Sequence, residues 1–189
     1  MDDSSYVDES LYLFRDLAHV TGDQIIGLGN IGFDKAPASK GHHLAVAGGL
    51  LIHSVNVTRR LVALTDALGV AWSRPESPYL VGMLHDLVKC KCYRLNPDGK
   101  TYGYVQPEWP GHGFASAMIA TVELGIRLNA DEAAAIIHHM GAFGLQGRAL
   151  DEFDAALDRW PGQIIATHTA DWAAARIDEE GHWRGGVSK

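Results

Sequence analysis

Apolar residues recur at helical spacing through most of the chain, with short interruptions. Leu11, Phe14, Leu17 and Ala18 predict a helix over 7–20. Residues 22–40, rich in Gly, Pro and Asp, are expected to form a loop. From 43 to 68 the periodic set is Leu44, Ala47, Leu51, Val55, Leu61, Leu64 and Leu68. Gly48-Gly49 inside it costs about 1 kcal/mol per glycine relative to alanine, so the pair marks a close backbone approach or a break before the better-patterned part. Residues 72–78, which include Pro75 and Pro78, separate this helix from a second one carrying Tyr79-Leu80-Val81-Gly82-Met83-Leu84-His85-Asp86-Leu87-Val88-Lys89.

The period then changes. Lys91-Cys92-Tyr93-Arg94-Leu95 and Thr101-Tyr102-Gly103-Tyr104-Val105 flank Asn96-Pro97-Asp98-Gly99. Proline presets φ for a turn and Asp-Gly completes it, so a β-hairpin is expected over about 91–105. Further helices are predicted over about 112–128, from an Asn129 or Asp131 cap to Met140-Gly141, and over 151–160 and 163–177, the last two divided by Pro161-Gly162. No repeat, low-complexity tract or linker breaks this order. The expected fold class is all-α, a helical bundle with a small inserted hairpin, forming one domain over 1–189.

Length and composition agree with a single packed core: 189 residues, 47% of them hydrophobic. No apolar run approaches the ~20 residues of a bilayer span, so no membrane association is expected. The acidic start, Met1-Asp2-Asp3, is unlike a signal peptide, and a cytoplasmic location is expected. A formal net charge of −7 argues against long nucleic acid as partner. Cys90 and Cys92 are too close in sequence for an ordinary disulfide and are read as reduced thiols.

His85-Asp86 changes the picture most. Burying an imidazole and a carboxylate unpaired in an apolar helix costs several kcal/mol, and a bound cation removes that penalty. Val81, Leu84, His85 and Val88 share one helical face, so His85 is expected to point inward. Ile164, His168, Asp171 and Ala175 form one stripe of the final helix, and His53 lies in Gly49-Leu50-Leu51-Ile52-His53-Ser54-Val55. His112, His138 and His139 complete the set. Taken singly, each has an ordinary explanation as a core histidine, a cap or an ion-pair partner. Together, His53, His85, Asp86, His112, His138, His139 and Asp171 point to a metal centre.

The order of these residues resembles the HD superfamily of metal-dependent phosphohydrolases, over about 42–177. It is most similar to the HD domain of bacterial 3′–5′ exoribonucleases and relaxase-associated proteins, through His42-His43 and Gly48-Gly49-Leu50-Leu51-Ile52-His53. The ligand order also resembles the HD-GYP cyclic-dinucleotide phosphodiesterases, although Gly141-Ala142-Phe143-Gly144 stands where those carry Gly-Tyr-Pro. The resemblance implies two metal ions. His53, His85, Asp86 and Asp171 would hold one; His112, His138 and His139 would hold the other, with Asp86 bridging. Lys89 matches the lysine of the His-Asp-x-x-Lys pattern and would contact phosphate, although Val88 replaces the usual preceding glycine.

The function so implied is hydrolysis of a phosphoester or phosphoanhydride of a nucleotide or short oligonucleotide by metal-activated water, with Asp86 and Lys89 catalytic. Imidazole and carboxylate ligands suit Mn, Fe, Co, Ni or Zn. His43 and His168 are candidates for substrate contact, and Arg94 with Tyr93, Tyr102 and Tyr104 for a wall that meets a base and a phosphate. The expected partner is a small phosphorylated substrate, with a homo-oligomer open. Two other classes stand beside this reading: a mixed-valent di-iron oxygenase, and a non-catalytic metal-containing module that binds a nucleotide.

Overall fold

The computed structural model describes residues 3–179, which are mostly helical with one two-stranded antiparallel sheet. Helix α1 (Asp3–Tyr12) runs into a π-helical turn at Leu13–Leu17, followed by α2 (Gly22–Asn30), α3 (Gly49–Leu68) and α4 (Ser77–Leu84). Helix α5 (Lys89–Cys92) enters the hairpin of β1 (Tyr93–Leu95) and β2 (Tyr102–Tyr104), in which Arg94 faces Gly103. Then come α6 (His112–Met118) with a π-turn at Ile119–Glu123, α7 (Ala130–His138), α8 (Arg148–Arg159), and α9 (Pro161–Ala173) with a π-turn at Ala174–Asp178. Among the described residues no helix is long and apolar enough to cross a membrane.

Helix α3 is the spine. Leu50, Val55, Val57 and Leu61 are fully buried, and α3 packs on both α4 and α9, while α7 packs on α6 and α9. The Gly48-Gly49 pair is both break and close approach. Gly48 has φ 78°, a left-handed conformation that side chains resist, and a Cβ on Gly49 would fall 2.1 Å from the Leu44 carbonyl oxygen. Gly82 lets α4 press onto α3, since a Cβ there would lie 2.7 Å from Thr58 Cα. That contact sets His85 beside His53.

A buried polar network fixes α7. Glu132, wholly buried, accepts from Ser77 Oγ at 2.7 Å, from Arg74 Nε at 2.7 Å and from the Asn129 backbone N–H at 2.7 Å. The last of these belongs to the capping box of Asn129, which is the cap of the two expected, Asn129 or Asp131.

Two expectations are corrected. The stretch 22–40 is not all loop, because Thr21 and Gln24 form a capping box that starts α2, and Leu28 is buried by it. Its glycines concealed a short helix whose cap was the legible part. The helix expected around residue 85 stops at Leu84. His85 is its C-cap, and the chain tightens into three-residue turns, with Leu87 N–H donating to Leu84 O and Lys89 N–H to Asp86 O.

Candidate metal centre

Five segments deliver the candidate ligands: His53 from α3, His85 and Asp86 from the turn after α4, His112 from the start of α6, His139 from the end of α7, and Asp171 from α9. Asp86 sits at the centre, 2% exposed. Its Oδ2 lies 3.3 Å from His85 Nε2 and 3.5 Å from His53 Nε2. Its Oδ1 lies 2.5 Å from His112 Nε2 and 3.5 Å from His139 Nε2. Asp171 Oδ1 closes the first group at 3.1 Å from His53 Nε2 and 4.0 Å from His85 Nε2. Three overlapping triads, His53–His85–Asp86, His85–His139–Asp171 and Asp86–His112–His139, each have donor atoms within 4.8 Å of one another.

The far side of each ring fixes its tautomer. His85 Nδ1 donates to Gly82 O at 2.8 Å, and His139 Nδ1 to Ile136 O at 2.7 Å. His53 Nδ1 lies 3.1 Å from both oxygens of Glu179, which also accepts from Asn56 Nδ2 at 3.0 Å. A neutral ring whose Nδ1 carries the hydrogen has its lone pair on Nε2. Those three Nε2 atoms are buried without a hydrogen-bond partner, and carboxylate oxygens stand 3.1–3.5 Å from them. Lone pair against lone pair in a dry interior is repulsive; a positive charge between them, whether a proton on His53 or His139 or a cation shared by the rings, makes it attractive. The donor set therefore fits a divalent cation, with the outer hydrogen bonds that orient metal-binding imidazoles. Buried His/Asp groups able to hold a metal ion are present.

Charges in the cluster are strongly coupled. Burial opposes protonation of His53, but Asp171, Asp86 and Glu179 outweigh it and hold its pKa well above the ordinary imidazole value. Burial likewise opposes charge on His139, and Asp86 reverses the sign. In His85 burial wins and lowers the pKa. Burial pushes Asp86 upward, yet Lys89, His85 and His112 bring it well below the usual carboxylate range. Asp171 is depressed too, against burial, by His53. The two carboxylates thus stay ionised and draw positive charge into the cluster.

Lys89, 8% exposed, is ion-paired to Asp86 Oδ2. Burial lowers its pKa, but Asp86 and Asp171 reverse that, so it remains a cation at neutral pH. A cavity of about 400 Å³ opens on Asp86, Lys89, His112 and Asp171, with His43 and Tyr93 also on its wall. The His43 ring is 5.0 Å from that of His53, and burial takes its pKa down to about 4.

Other candidates fall elsewhere. His138 does not join the cluster: being one residue off His139, it turns to the other side, its ring 5.5 Å from Phe153. Arg94 is exposed on β1 and does not line the cavity, because strand alternation sends it away from Tyr93, which does. His168 stands behind the cluster, its Nδ1 donating to His139 O at 2.7 Å. Cys90 and Cys92 are free and buried, with burial raising their thiols to about 12 and about 11, and neither belongs to the groups of candidate ligands. Sequence reasoning missed Glu179, Trp172 and Arg176, whereas His42, noted only as part of a motif, lines the cavity. Glu179 lies in the acidic run Asp178-Glu179-Glu180, which reads as solvated surface.

Compared with known proteins, the chain matches no family model, no curated protein and no solved structure.

Proposed function

We propose that this chain is an HD-type metal-dependent phosphohydrolase, cleaving a phosphoester or phosphoanhydride of a nucleotide or short oligonucleotide. The observation that carries the reading is the division of Asp86, whose two oxygens face different imidazoles on the floor of a cavity that also holds a buried lysine. His53, His85, Asp86 and Asp171 form one ligand set; His112, His139 and the other oxygen of Asp86 form the second. His138 is no longer in it. Divalent ions held by these residues would supply a water of lowered pKa and a Lewis acid for a phosphoryl oxygen.

The chain's own residues do the rest. Lys89, held as a cation by Asp86, meets negative charge that develops on the phosphate. Paired with Asp86 and charged, it acts as a charge partner rather than a proton acceptor. His43 is neutral at pH 7 on the same wall, placed to accept or donate a hydrogen bond without adding charge. Buried Nδ1 contacts keep the rings of His85 and His139 from turning, so the Nε2 geometry is preset. The cavity, about 400 Å³, is in the range of small-molecule sites and too small for a folded polymer.

The test is turnover of bis(p-nitrophenyl) phosphate under anaerobic conditions, with Mn and then Fe supplied. Oxygen-independent hydrolysis is expected. Substrate consumption that requires dioxygen, with no phosphoester cleaved, transfers the site to the oxygenase class; ligand binding without turnover of any kind leaves a binding module.

A further inference from the structure

Trp172 directly follows Asp171 on α9, lines the cavity, and is 63% exposed. Its indole thus offers a large flat face to solvent beside a polar site. It is not loosely placed. Its ring stacks on His168, centroids 6.1 Å apart and 22° between planes. His168 is in turn tied by Nδ1 to the carbonyl of His139 at 2.7 Å. Gly141, at φ 71°, comes so near that a Cβ there would lie 3.1 Å from His168 Cε1, which pins the imidazole from the side. The outcome is a braced aromatic face attached to the backbone of a metal-ligand candidate. Met140, 54% exposed, lines the same cavity and adds a polarizable neighbour.

Arg176, one turn beyond Trp172, also lines the cavity. Among the described residues it has no hydrogen-bond or ion-pair partner, unlike Arg59, Arg60 and Arg74, which all hold carboxylates. The cavity therefore combines an open aromatic face with two cations, Arg176 and Lys89, above an anionic metal floor. A sugar phosphate alone uses the cations and leaves the indole wet. A flat heteroaromatic base covers the indole, and the phosphate meets the cations.

We propose that Trp172, braced by His168, is a shelf on which a nucleobase stacks, and that Arg176 is a second anion contact beside Lys89. The ligand class is a nucleotide, discriminated from base-free sugar phosphates by the shelf. This rests on the phosphoester-binding reading above and assigns the part of the ligand that the metal cluster does not touch.

The experiment is equilibrium binding of AMP and of ribose 5-phosphate to the metal-loaded full chain, with phosphate release followed in parallel. Base stacking on an aromatic side chain is worth on the order of tenfold in affinity or more. Wild type is expected to prefer AMP by that factor. Trp172→Ala is expected to erase the preference, Trp172→Phe to retain most of it, and Arg176→Gln to weaken both ligands alike. A merely structural Trp172 would shift both ligands together and leave their ratio unchanged. Equal affinities in wild type, or a ratio untouched by Trp172→Ala, overturn the shelf. So does a dimer that Trp172→Ala dissociates with the ratio intact, because the indole then serves a second copy of the chain. A Trp172-dependent preference in a metal-loaded chain that neither releases phosphate from AMP nor turns over bis(p-nitrophenyl) phosphate keeps the shelf and removes the hydrolase.

Discussion

Nε2 of His53 lies 3.1 Å from Oδ1 of Asp171, where α3 packs on α9. Together with Asp86, Asp171 and Glu179 raise the His53 pKa above 6.5, burial notwithstanding. The sign of the pH dependence follows. In metal-stripped protein, this histidine's contribution to stability is complete below pH 6.5 and is lost as pH climbs through its raised folded value. His139 acts in the same direction. A metal ion competes with these protons, so its binding strengthens over the same window. Calorimetric melting with and without chelator is expected to show a metal-dependent gain in Tm that widens above pH 6.5. His43 works at the other end: with its pKa at about 4, stability falls as pH drops from 6.5 toward 4. A gain independent of pH would mean the imidazoles are not the ligands.

Lys89 separates binding from chemistry. Its amine is paired with Asp86 but adds no lone pair to a metal while charged. Lys89→Met is expected to retain metal and to lose turnover of phosphate esters by about 100- to 1000-fold, the cost of removing one charge-stabilising donor. Metal analysis beside steady-state kinetics makes the measurement. Undiminished kcat with that substitution refutes the phosphate role.

Glu179 orients His53. Both its oxygens lie 3.1 Å from Nδ1, and Asn56 holds it in place. Such outer partners are typically worth about 10- to 100-fold in metal affinity. Glu179→Gln is expected to weaken metal binding by that order in a chelator competition, while circular dichroism stays that of wild type. Unchanged affinity would leave Glu179 as a packing residue.

His138 and His139 differ by one position and by everything else. His139 Nε2 is buried and unpartnered 3.5 Å from Asp86; the His138 ring packs on Phe153. His139→Gln is expected to lower metal content, and His138→Gln to leave it at the wild-type level. The reverse pattern would show that the end of α7 is rotated from the arrangement described.

Much of this was legible beforehand, for identifiable reasons. His85 is buried as expected, but the whole stretch 80–90 is buried and the helix ends at Leu84, so an all-round apolar setting rather than one helical face encloses it. His53 and Asp171 stood out because each interrupts an apolar stripe. Asn96-Pro97-Asp98-Gly99 announced the hairpin, and Asp98 Oδ1 accepts from the Lys100 and Thr101 backbone N–H groups at 2.9 Å. Adjacent histidines gave no means of choosing between His138 and His139, since the choice turns on the roughly 100° per residue of α7 and its exact end. Arg94 had the right charge on the wrong side of a strand. Glu179 was hidden because its value comes from the π-turn at Ala174–Asp178, which returns it to His53, and no residue pattern specifies that turn. Thr21 and Gln24 did carry a capping signal for α2, overshadowed by the glycines that follow.

The metal content of the purified, metal-reconstituted chain and of Asp86→Ala, measured by elemental analysis after removal of free ions, tests the centre most directly. Wild type is expected to keep ~1–2 equivalents of divalent transition metal, and Asp86→Ala, stripped of the carboxylate that both ligand sets share, to lose most of it along with hydrolysis. A wild-type chain that retains none, or an Asp86→Ala chain that stays replete and active, contradicts the account.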